Sequence, residues 1–347
     1  MTEIASALLD WFDQNRRSFP FRETKVPYRI WISEIMLQQT RTETVTPYYE
    51  RFLRAFPDVF ALADAREADV LKAWEGLGYY TRARNLKKTA DIVAHSLNGV
   101  FPNTVAGLLS LPGIGDYTAG AIASIAYDLP IPAMDGNLTR VFARLYDLHE
   151  NTSRPETKER LYALAQQHMP DTRSGDVNQA LMDLGAGVCK PIPHCDACPL
   201  ASLCLAKAHG TQDALPVKDQ KKPPVSISYD VLLVEHDGRL LMLKRKEKML
   251  NGLWVFPLLP GENTGDAIAA ALSPLNLQAE PKRLKEGVHV FTHQVWHMRV
   301  WHAAADSFAI PAAFKGSQWM TPAEILEAPK PTAMRLALAC ASRLIGR

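Results

Sequence analysis

The sequence predicts a mostly helical domain over residues 1–207, a linker over 208–227 and an α+β domain over 228–347. A chain of 347 residues is long enough for each domain to bury its own core. Apolar residues recur at helical spacing, interrupted by Gly and Pro, as far as a cysteine-rich stretch. After a polar, basic and proline-containing stretch, the apolar pattern becomes typical of strands.

The first domain is predicted to be a series of helices. An N-terminal amphipathic helix would place Leu8, Leu9 and Phe12 on one side. Pro27 suits the start of a second helix, "PYRIWISEIMLQQ". Further helices are predicted over 44–56, 67–75, 81–97, 104–110, 117–127, 136–146, 156–167 and 176–186.

The second domain contains the strongest hairpin signal in the chain. In "YDVLLVEHDGRLLMLKRK" two apolar runs flank Asp237-Gly238. "GLWVFPLL" and "HVFTHQVWHMRVWHAA" continue with strand-like patterns, and helices are predicted near 264–272 and 322–327. This mixture indicates an α+β domain.

The composition is that of an ordinary soluble globular protein, with a net charge of only +2. The N-terminus has early acidic residues and lacks the features of a signal peptide, and no apolar run is long enough to cross a bilayer. Four of the five cysteines lie between Cys189 and Cys204, which favours metal binding over disulfides. We therefore expect a cytoplasmic protein.

The stretch "SEIMLQQT" places an acidic residue, Glu34, among apolar ones. On a helix Glu34 shares its side with Ile30, Trp31 and Leu37. A carboxyl group with such neighbours holds its proton more tightly, which suits a general acid. The alternative is a boundary glutamate paired with Arg29 or Arg41 on the surface.

The stretch "LPGIGDYTAGAIASIA" predicts a tight turn at Gly113 and Gly115, followed by a helix with Asp116 as its N-cap. Backbone N–H groups at such a helix start form a site where a phosphate can bind. The full pattern is typical of a helix–hairpin–helix element that binds the DNA backbone without reading sequence. The alternative is a plain corner between two helices.

The stretch "AMDGNLTRV" contains a second candidate carboxylate, Asp135. Cleavage of an N-glycosidic bond requires one acid to protonate the leaving group and one carboxylate to stabilise the sugar cation. The alternative for Asp135 is a simple helix cap.

The cysteines Cys189, Cys195, Cys198 and Cys204 have the spacing C-x5-C-x2-C-x5-C. Four thiolates this close need a cation to relieve their repulsion. Composition alone leaves zinc and an iron–sulfur cluster open. Cys340 lies apart, and we interpret it as a small buried residue.

The stretch "WEGLGYYTRARNLKK" places Leu77 between two glycines at a predicted loop tip, followed by Tyr79 and then by basic residues. Apolar and aromatic side chains backed by cations can insert into a base stack while the cations bind phosphates. The alternative is a solvated basic helix with its tyrosines in the core.

Together these stretches resemble the adenine DNA glycosylase family of the helix–hairpin–helix superfamily, over nearly the whole chain and in the family's order. The resemblance implies that Glu34 protonates an extruded adenine and that Asp135 stabilises the sugar cation. It also implies that Tyr117 and Asn137 help to order this site.

The resemblance also implies contacts to DNA and a cofactor. Arg29 and Trp31 would line the adenine pocket, Gln38 and Tyr79 would enter the base stack, and Gln39, Thr40, Leu77, Gly113 and Gly115 would contact DNA. The four cysteines would bind a structural [4Fe–4S] cluster. In this chain the first cysteine gap holds five residues, one fewer than is usual in the family.

The C-terminal domain resembles the family's Nudix-like module, which recognises 8-oxoguanine. Phe291, Thr292 and His293 match the family's Phe-Ser-His loop, and Thr292 keeps the hydroxyl group. The glutamate-rich signature of Nudix hydrolases is absent from the sequence. The implied partner is double-stranded DNA with A:8-oxoguanine or A:G mispairs, bound by a monomer that has no membrane partner.

Two other functions compete with this one. An endonuclease III-like glycosylase/lyase would use a lysine nucleophile, yet no lysine lies between Asn103 and Asn151, and Tyr117 occupies the matching place. A DNA-damage sensor without catalysis would bind the lesion and leave the base in place; the presence of both Glu34 and Asp135 disfavours it.

Overall fold

Backbone contacts divide the chain into two units in the computed structural model, which describes residues 1–220 and 222–345. The helical unit contains Met1–Asp64 and Arg84–Gln220. The sheet unit contains Ala65–Ala83 and the described residues after Gln220. The helix predicted over 67–75 is present at Glu67–Ala73, but the segment Ala65–Ala83 groups with residues far along the chain, which local patterns do not reveal.

Residues 208–227, predicted to be an exposed linker, are partly folded onto the helical unit. Leu215 is buried, and its carbonyl oxygen accepts a hydrogen bond from Arg144 Nε (3.1 Å). The carbonyl oxygen of Val217 accepts one from the backbone N–H of Thr152 (2.9 Å). Because the first strand begins at Val225, the connecting segment is shorter than the sequence predicts.

Each helix predicted in the first 207 residues is present close to its predicted bounds, and two short helices, Val59–Asp64 and Leu205–His209, are additional. The helix predicted over 81–97 ends at Asp91 and continues as a wider turn over Ile92–Ser96. The helices are α1 (Glu3–Asn15), α2 (Pro27–Leu37), α3 (Thr42–Ala55), α4 (Val59–Asp64), α5 (Glu67–Ala73), α6 (Thr81–Asp91), α7 (Val105–Leu109), α8 (Asp116–Tyr127), α9 (Gly136–Leu145), α10 (Pro155–Gln166), α11 (Ser174–Gly187) and α12 (Leu205–His209).

Helices α2, α8, α9 and α11 form the centre of the helical unit. Helix α2 packs against α3 and α8, and α11 packs against α1, α8 and α9. The approach of α11 to the start of α9 is close, since a Cβ on Gly185 would lie 2.6 Å from Cβ of Asn137. This packing brings polar side chains from four helices to one place in an otherwise apolar core.

The sheet unit confirms the α+β prediction with one mixed sheet in the order β3-β2-β1-β6-β5, with β4 on β1 and β7 on β2. Asp237 and Gly238 both have positive φ and join β1 to β2 as an antiparallel hairpin, as predicted. Strands β1 and β6 are parallel, and β5 and β6 are antiparallel. The strands are β1 (Val225–His236), β2 (Arg239–Lys244), β3 (Trp254–Val255), β4 (Leu258–Pro260), β5 (Lys282–Val290), β6 (Gln294–Ala304) and β7 (Ser317–Met320).

Three helices complete the sheet unit: α13 (Gly265–Ala271), α14 (Pro322–Glu327) and α15 (Arg335–Ile345). One apolar cluster contains Trp296, Met298 and residues of α15, and another contains Leu232 and residues of α13. The sheet is therefore covered by helices on both faces. No helix in the described residues has the length and apolar character needed to cross a bilayer.

Candidate active site

Glu34, Tyr117, Asp135 and Asn137 line one pocket of the helical unit, with a volume of about 180 Å³. Glu34 comes from the middle of α2, and Tyr117 is the second residue of α8. Asp135 caps the N-terminus of α9, and Asn137 lies in its first turn. The structure thus brings together the two carboxyl groups that are a hundred positions apart in the sequence.

Glu34 is the buried acid of this pocket, with 5% of its surface exposed. Burial raises the pKa of Glu34 to about 7, although the hydrogen bond from Tyr117 and the charge of Arg22 oppose this rise. The Tyr117 hydroxyl donates that hydrogen bond to Glu34 Oε2. At neutral pH a substantial fraction of Glu34 is therefore protonated and able to act as a general acid.

Asp135 is held by the backbone of α9. Its Oδ1 accepts hydrogen bonds from the N–H groups of Asn137 (2.8 Å) and Leu138 (2.8 Å), and its Oδ2 accepts one from Asn137 Nδ2 (3.1 Å). Burial raises the pKa of Asp135, while these hydrogen bonds favour the charged form. Asp135 is both a helix cap and a pocket residue, so the two interpretations of the sequence are compatible.

Asn137 is fixed in turn by Arg140, which connects the pocket to the first cysteine. Arg140 Nη2 donates to Asn137 Oδ1 (2.8 Å) and to the Gly185 carbonyl oxygen (2.8 Å). Arg140 Nε donates to the carbonyl oxygen of Cys189 (2.7 Å). The orientation of the Asp135–Asn137 pair therefore depends on the loop that carries the cysteines.

The pocket also contains residues that the sequence analysis missed. Arg17 and Arg22 share the carboxylate of buried Asp183, at 2.6 Å and 2.5 Å, and both guanidinium groups lie over the ring of Phe19. Gln179 lines the pocket from α11, one turn before Asp183. The available signals were the basic and aromatic stretch "RRSFPFR" and two polar residues, Gln179 and Asp183, four positions apart on one helix.

Two residues predicted to line the pocket lie elsewhere. Trp31 is 1% exposed and packs against Tyr28 and Phe101 in the core, and Arg29 is exposed at the surface. Neither is among the residues around the pocket. The family resemblance had assigned both to the pocket, whereas here Trp31 packs in the apolar core and Arg29 lies at the surface.

The end of α2 places the "QQT" residues as follows. Gln38 Nε2 donates to Thr118 Oγ1 (3.1 Å), Gln39 is exposed with a φ of 58°, and Thr40 lines the pocket. The predicted hairpin is also present: Gly113 has a φ of 79°, and its position beside Asn85 leaves no room for a Cβ. One detail is corrected, since Gly115 is the N-cap of α8 and Asp116 is its first residue.

In the sheet unit, Leu77 was predicted to be an exposed loop tip. It is only 5% exposed, so this prediction is wrong. Tyr79 is an exposed residue of this loop, with 45% of its surface accessible and a φ of 49°. Its hydroxyl lies 2.5 Å from Thr292 Oγ1. The two side chains that the sequence analysis assigned to the base stack and to the lesion thus form a hydrogen bond.

Phe291, Thr292 and His293 form the short connection between β5 and β6. The Phe291 ring packs edge-on against His289 and Trp296, with centroid distances of 4.5 Å and 5.0 Å. Thr292 and His293 are exposed. Phe291 therefore anchors the loop, and the two polar residues remain available for a ligand.

The four clustered cysteines line one cavity of the helical unit, and all are free thiols. Burial, together with the neighbouring thiols, raises the pKa of Cys198 to about 11. Arg144 borders this cavity and donates to Cys189 Sγ (3.4 Å). The described residues contain no group of three or more His, Cys, Asp or Glu side chains that could hold a metal ion.

Comparisons with known proteins agree with this architecture. Residues 32–167 match the family described as HhH-GPD superfamily base excision DNA repair protein, and residues 230–340 match the NUDIX domain family. Among solved structures, a thermostable thymine-DNA glycosylase is similar with a TM-score of 0.54 and 29% identity, over 59% of this chain and 95% of that one. A trapped endonuclease III–DNA covalent intermediate is similar in fold, with a TM-score of 0.51 and 20% identity over 60% of this chain and 95% of that one.

Curated relatives extend the similarity to nearly the whole chain. Adenine DNA glycosylase of Mus musculus is 34% identical, over 96% of this chain and 77% of the relative. That of Homo sapiens is 33% identical, over 96% and 73%. That of Buchnera aphidicola subsp. Acyrthosiphon pisum is 36% identical, over 73% of each chain. Because the similarity includes both the pocket and the sheet unit, the chain belongs to the adenine DNA glycosylase family.

Proposed function

We propose that this protein hydrolyses the N-glycosidic bond of adenine opposite 8-oxoguanine or guanine in duplex DNA, as a step of base excision repair. The observation that carries this proposal is the pocket in which a buried carboxyl group of raised pKa, Glu34, occurs together with a second, fixed carboxyl group, Asp135. Membership of the adenine DNA glycosylase family supports adenine as the excised base.

The glycosidic bond is unreachable within stacked DNA, so the adenine must leave the helix before it can be cleaved. The pocket would receive this extruded base. Glu34 would donate its proton to the adenine, which makes the base a better leaving group. As the bond breaks, the charge of Asp135 would stabilise the sugar cation, and water would then complete an abasic site. The hydrogen bonds from Asn137 and Leu138 hold the Asp135 carboxylate in position during this step.

Replacing Tyr117 by Phe is expected to raise the pKa of Glu34 above its wild-type value. The Tyr117 hydroxyl stabilises the charged carboxylate, so its removal favours the protonated acid. Since only the protonated acid donates, adenine release should persist to higher pH in the variant than in the wild type. Single-turnover rates of the variant and the wild type, measured across about pH 5 to 9, test this expected shift. An unshifted profile would show that this hydrogen bond does not set the protonation of Glu34.

A lyase mechanism is less well supported. A Schiff-base reaction needs a lysine amine in the pocket, and the residues that line it include arginines but no lysine. Tyr117 is the residue at the start of α8 that lines the pocket, and its hydroxyl donates a hydrogen bond to Glu34. We therefore infer a monofunctional hydrolase, and the absence of strand cleavage after adenine release would test it.

The Phe291–His293 loop would read the base opposite adenine. Phe291 anchors the loop on Trp296, and the exposed hydroxyl of Thr292 and ring of His293 offer hydrogen bonds to the lesion. This assignment rests on the family resemblance and on the exposure of these two polar groups. It gives the sheet unit a role in lesion recognition that needs no hydrolytic residues of its own.

Replacing Phe291 or His293 by Ala should reduce the preference for A:8-oxoguanine over A:G duplexes. Loss of a hydrogen bond from His293, or of the Phe291 packing that holds the loop, is expected to change the ratio of single-turnover rates about fivefold. His297→Ala is the matched control, because this histidine is also exposed but lies on strand β6 outside the loop. An unchanged ratio in both loop variants would assign lesion recognition to another surface.

We further propose that Cys189, Cys195, Cys198 and Cys204 hold a [4Fe–4S] cluster. The four thiols line one cavity, and in such a cluster each cysteine would bind a different iron. The family resemblance favours the cluster over zinc, which four cysteines also bind. Iron and acid-labile sulfide in the purified protein would support this assignment, and stoichiometric zinc would contradict it.

The substrate would be duplex DNA bound by one copy of the chain. The hairpin before α8 and its first turn would contact the DNA backbone. Such a substrate places the activity on chromosomal DNA, within the nucleoid. A single enzyme molecule per duplex in sedimentation experiments would support the monomer.

A further inference from the structure

A buried lysine, Lys330, follows helix α14 in the sheet unit, with 5% of its surface exposed. Its Nζ donates to the carbonyl oxygens of Ile325 (2.5 Å), Leu326 (3.2 Å) and Ala328 (2.5 Å). These are the free carbonyl groups at the C-terminal end of α14, where a cation is favoured. Burial lowers the pKa of Lys330 to about 8, so the position is costly for a lysine and calls for an explanation.

The same residue contacts the segment that carries Tyr79. The Tyr80 hydroxyl donates to the backbone carbonyl oxygen of Lys330 (2.9 Å). Lys330 Nζ lies 3.9 Å from Glu75 Oε2, and Glu75 pairs with Lys72 (3.0 Å). Lys72 Nζ also donates to the carbonyl oxygen of Leu326 (2.5 Å). Lys72, Glu75 and Tyr80 thus attach this segment to the end of α14 and to Lys330.

The internal contacts of the loop make it a stiff unit. Trp74 Nε1 donates to the Gly78 carbonyl oxygen (3.1 Å), and Arg82 lies over the rings of Trp74 and Tyr79 at 5.4 Å from each centroid. Tyr80 is buried, whereas Tyr79, next to it, is exposed in a left-handed conformation. Because these contacts hold the loop together, its attachment to Lys330 and the end of α14 determines the position of Tyr79.

We propose that Lys330 is a positioning residue, which holds the 74–80 loop so that Tyr79 stands beside Thr292. The carbonyl oxygens of α14 fix the ammonium group, and the ammonium group and the backbone of Lys330 fix Glu75 and Tyr80. The Tyr79 hydroxyl then meets Thr292 Oγ1 at 2.5 Å. This inference rests on the proposed function, in which Tyr79 enters the base stack and Thr292 contacts the lesion.

Lys330→Met tests the ammonium group, and Tyr80→Phe removes only the hydroxyl that reaches Lys330. Lys315→Met is the matched control, since Lys315 is an exposed lysine of the same unit. The measurements are the ratio of single-turnover rates on A:8-oxoguanine and A:G duplexes, and the fluorescence of 2-aminopurine placed next to 8-oxoguanine. Both are made well below each variant's melting temperature, so that loss of stability alone would leave them unchanged.

We expect Lys330→Met to reduce the rate ratio about tenfold and Tyr80→Phe about fivefold, with a smaller 2-aminopurine response in each. Lys315→Met should behave as the wild type. Wild-type values in both Lys330→Met and Tyr80→Phe would overturn the positioning role. Tyr79→Ala, measured in parallel, distinguishes the positioning role of Lys330 from the proposed role of Tyr79. If Tyr79→Ala changes the rate ratio while Lys330→Met and Tyr80→Phe do not, only the positioning role fails. If Tyr79→Ala also has no effect, the proposed role of Tyr79 fails with it.

Discussion

Replacing Glu34 by Gln is expected to abolish adenine release while lesion binding persists. Glutamine has nearly the same shape and can still accept a hydrogen bond from Tyr117, but it has no acidic proton. General acid catalysis contributes roughly 10²- to 10⁴-fold, so the single-turnover rate on an A:8-oxoguanine duplex should fall by at least about 10². The raised pKa of Glu34 makes it the group that can supply this proton near neutral pH.

The measurement pairs this rate with duplex affinity and melting temperature. A neutral side chain in place of a buried carboxyl group should not weaken folding, because burial disfavours the charged form of Glu34. Glu43→Gln is the matched control, since Glu43 is an exposed glutamate in the first turn of α3. Adenine release at the wild-type rate by Glu34→Gln would rule out Glu34 as the acid.

Replacing Asp135 by Asn is expected to have the second largest effect, a loss of about 10²- to 10³-fold in the single-turnover rate. Asparagine is as good an N-cap as aspartate, so the first turn of α9 should keep its bonds from Asn137 and Leu138. What disappears is the negative charge next to the sugar cation. This substitution therefore separates the electrostatic role of Asp135 from its structural one.

The melting temperature and the single-turnover rate of Asp135→Asn test this prediction. The melting temperature should be close to that of the wild type, while the rate falls. Asp10→Asn, an exposed aspartate on α1, controls for the general effect of removing one negative charge. If Asp135→Asn releases adenine as fast as the wild type, the charge of Asp135 plays no part in catalysis. If it unfolds instead, Asp135→Ser keeps a capping oxygen and provides the second neutral variant for the same comparison.

The elements of this fold follow largely from local patterns. The amphipathic period of α1, the proline at the start of α2 and the Asp237-Gly238 hairpin each depend on residues within a few positions of one another. For the same reason the Gly113 turn and the cap at Asp135 are recognisable in the sequence. Backbone sterics and the apolar period act over short distances, so they are visible in the chain itself.

The sequence alone was less successful with the direction of individual side chains. The family resemblance assigned Trp31 and Arg29 to the pocket, yet Trp31 lies in the core and Arg29 at the surface. Leu77 lies between glycines, as an exposed tip would, but it is buried. In each case the side chain follows the packing of neighbouring elements, and a local pattern contains no information about those neighbours.

By itself the sequence determined the helical and α+β character of the two parts, their turns and the types of residue available for chemistry. Only the tertiary structure decided that Glu34 shares a pocket with Asp135 and that Asp183 holds Arg17 and Arg22. It also decided that the 74–80 loop attaches to Lys330, 250 positions beyond Tyr80. The physical reason is that desolvation and long-range hydrogen bonds depend on which distant segments meet, and these two effects set the pKa of Glu34 and the place of Tyr79.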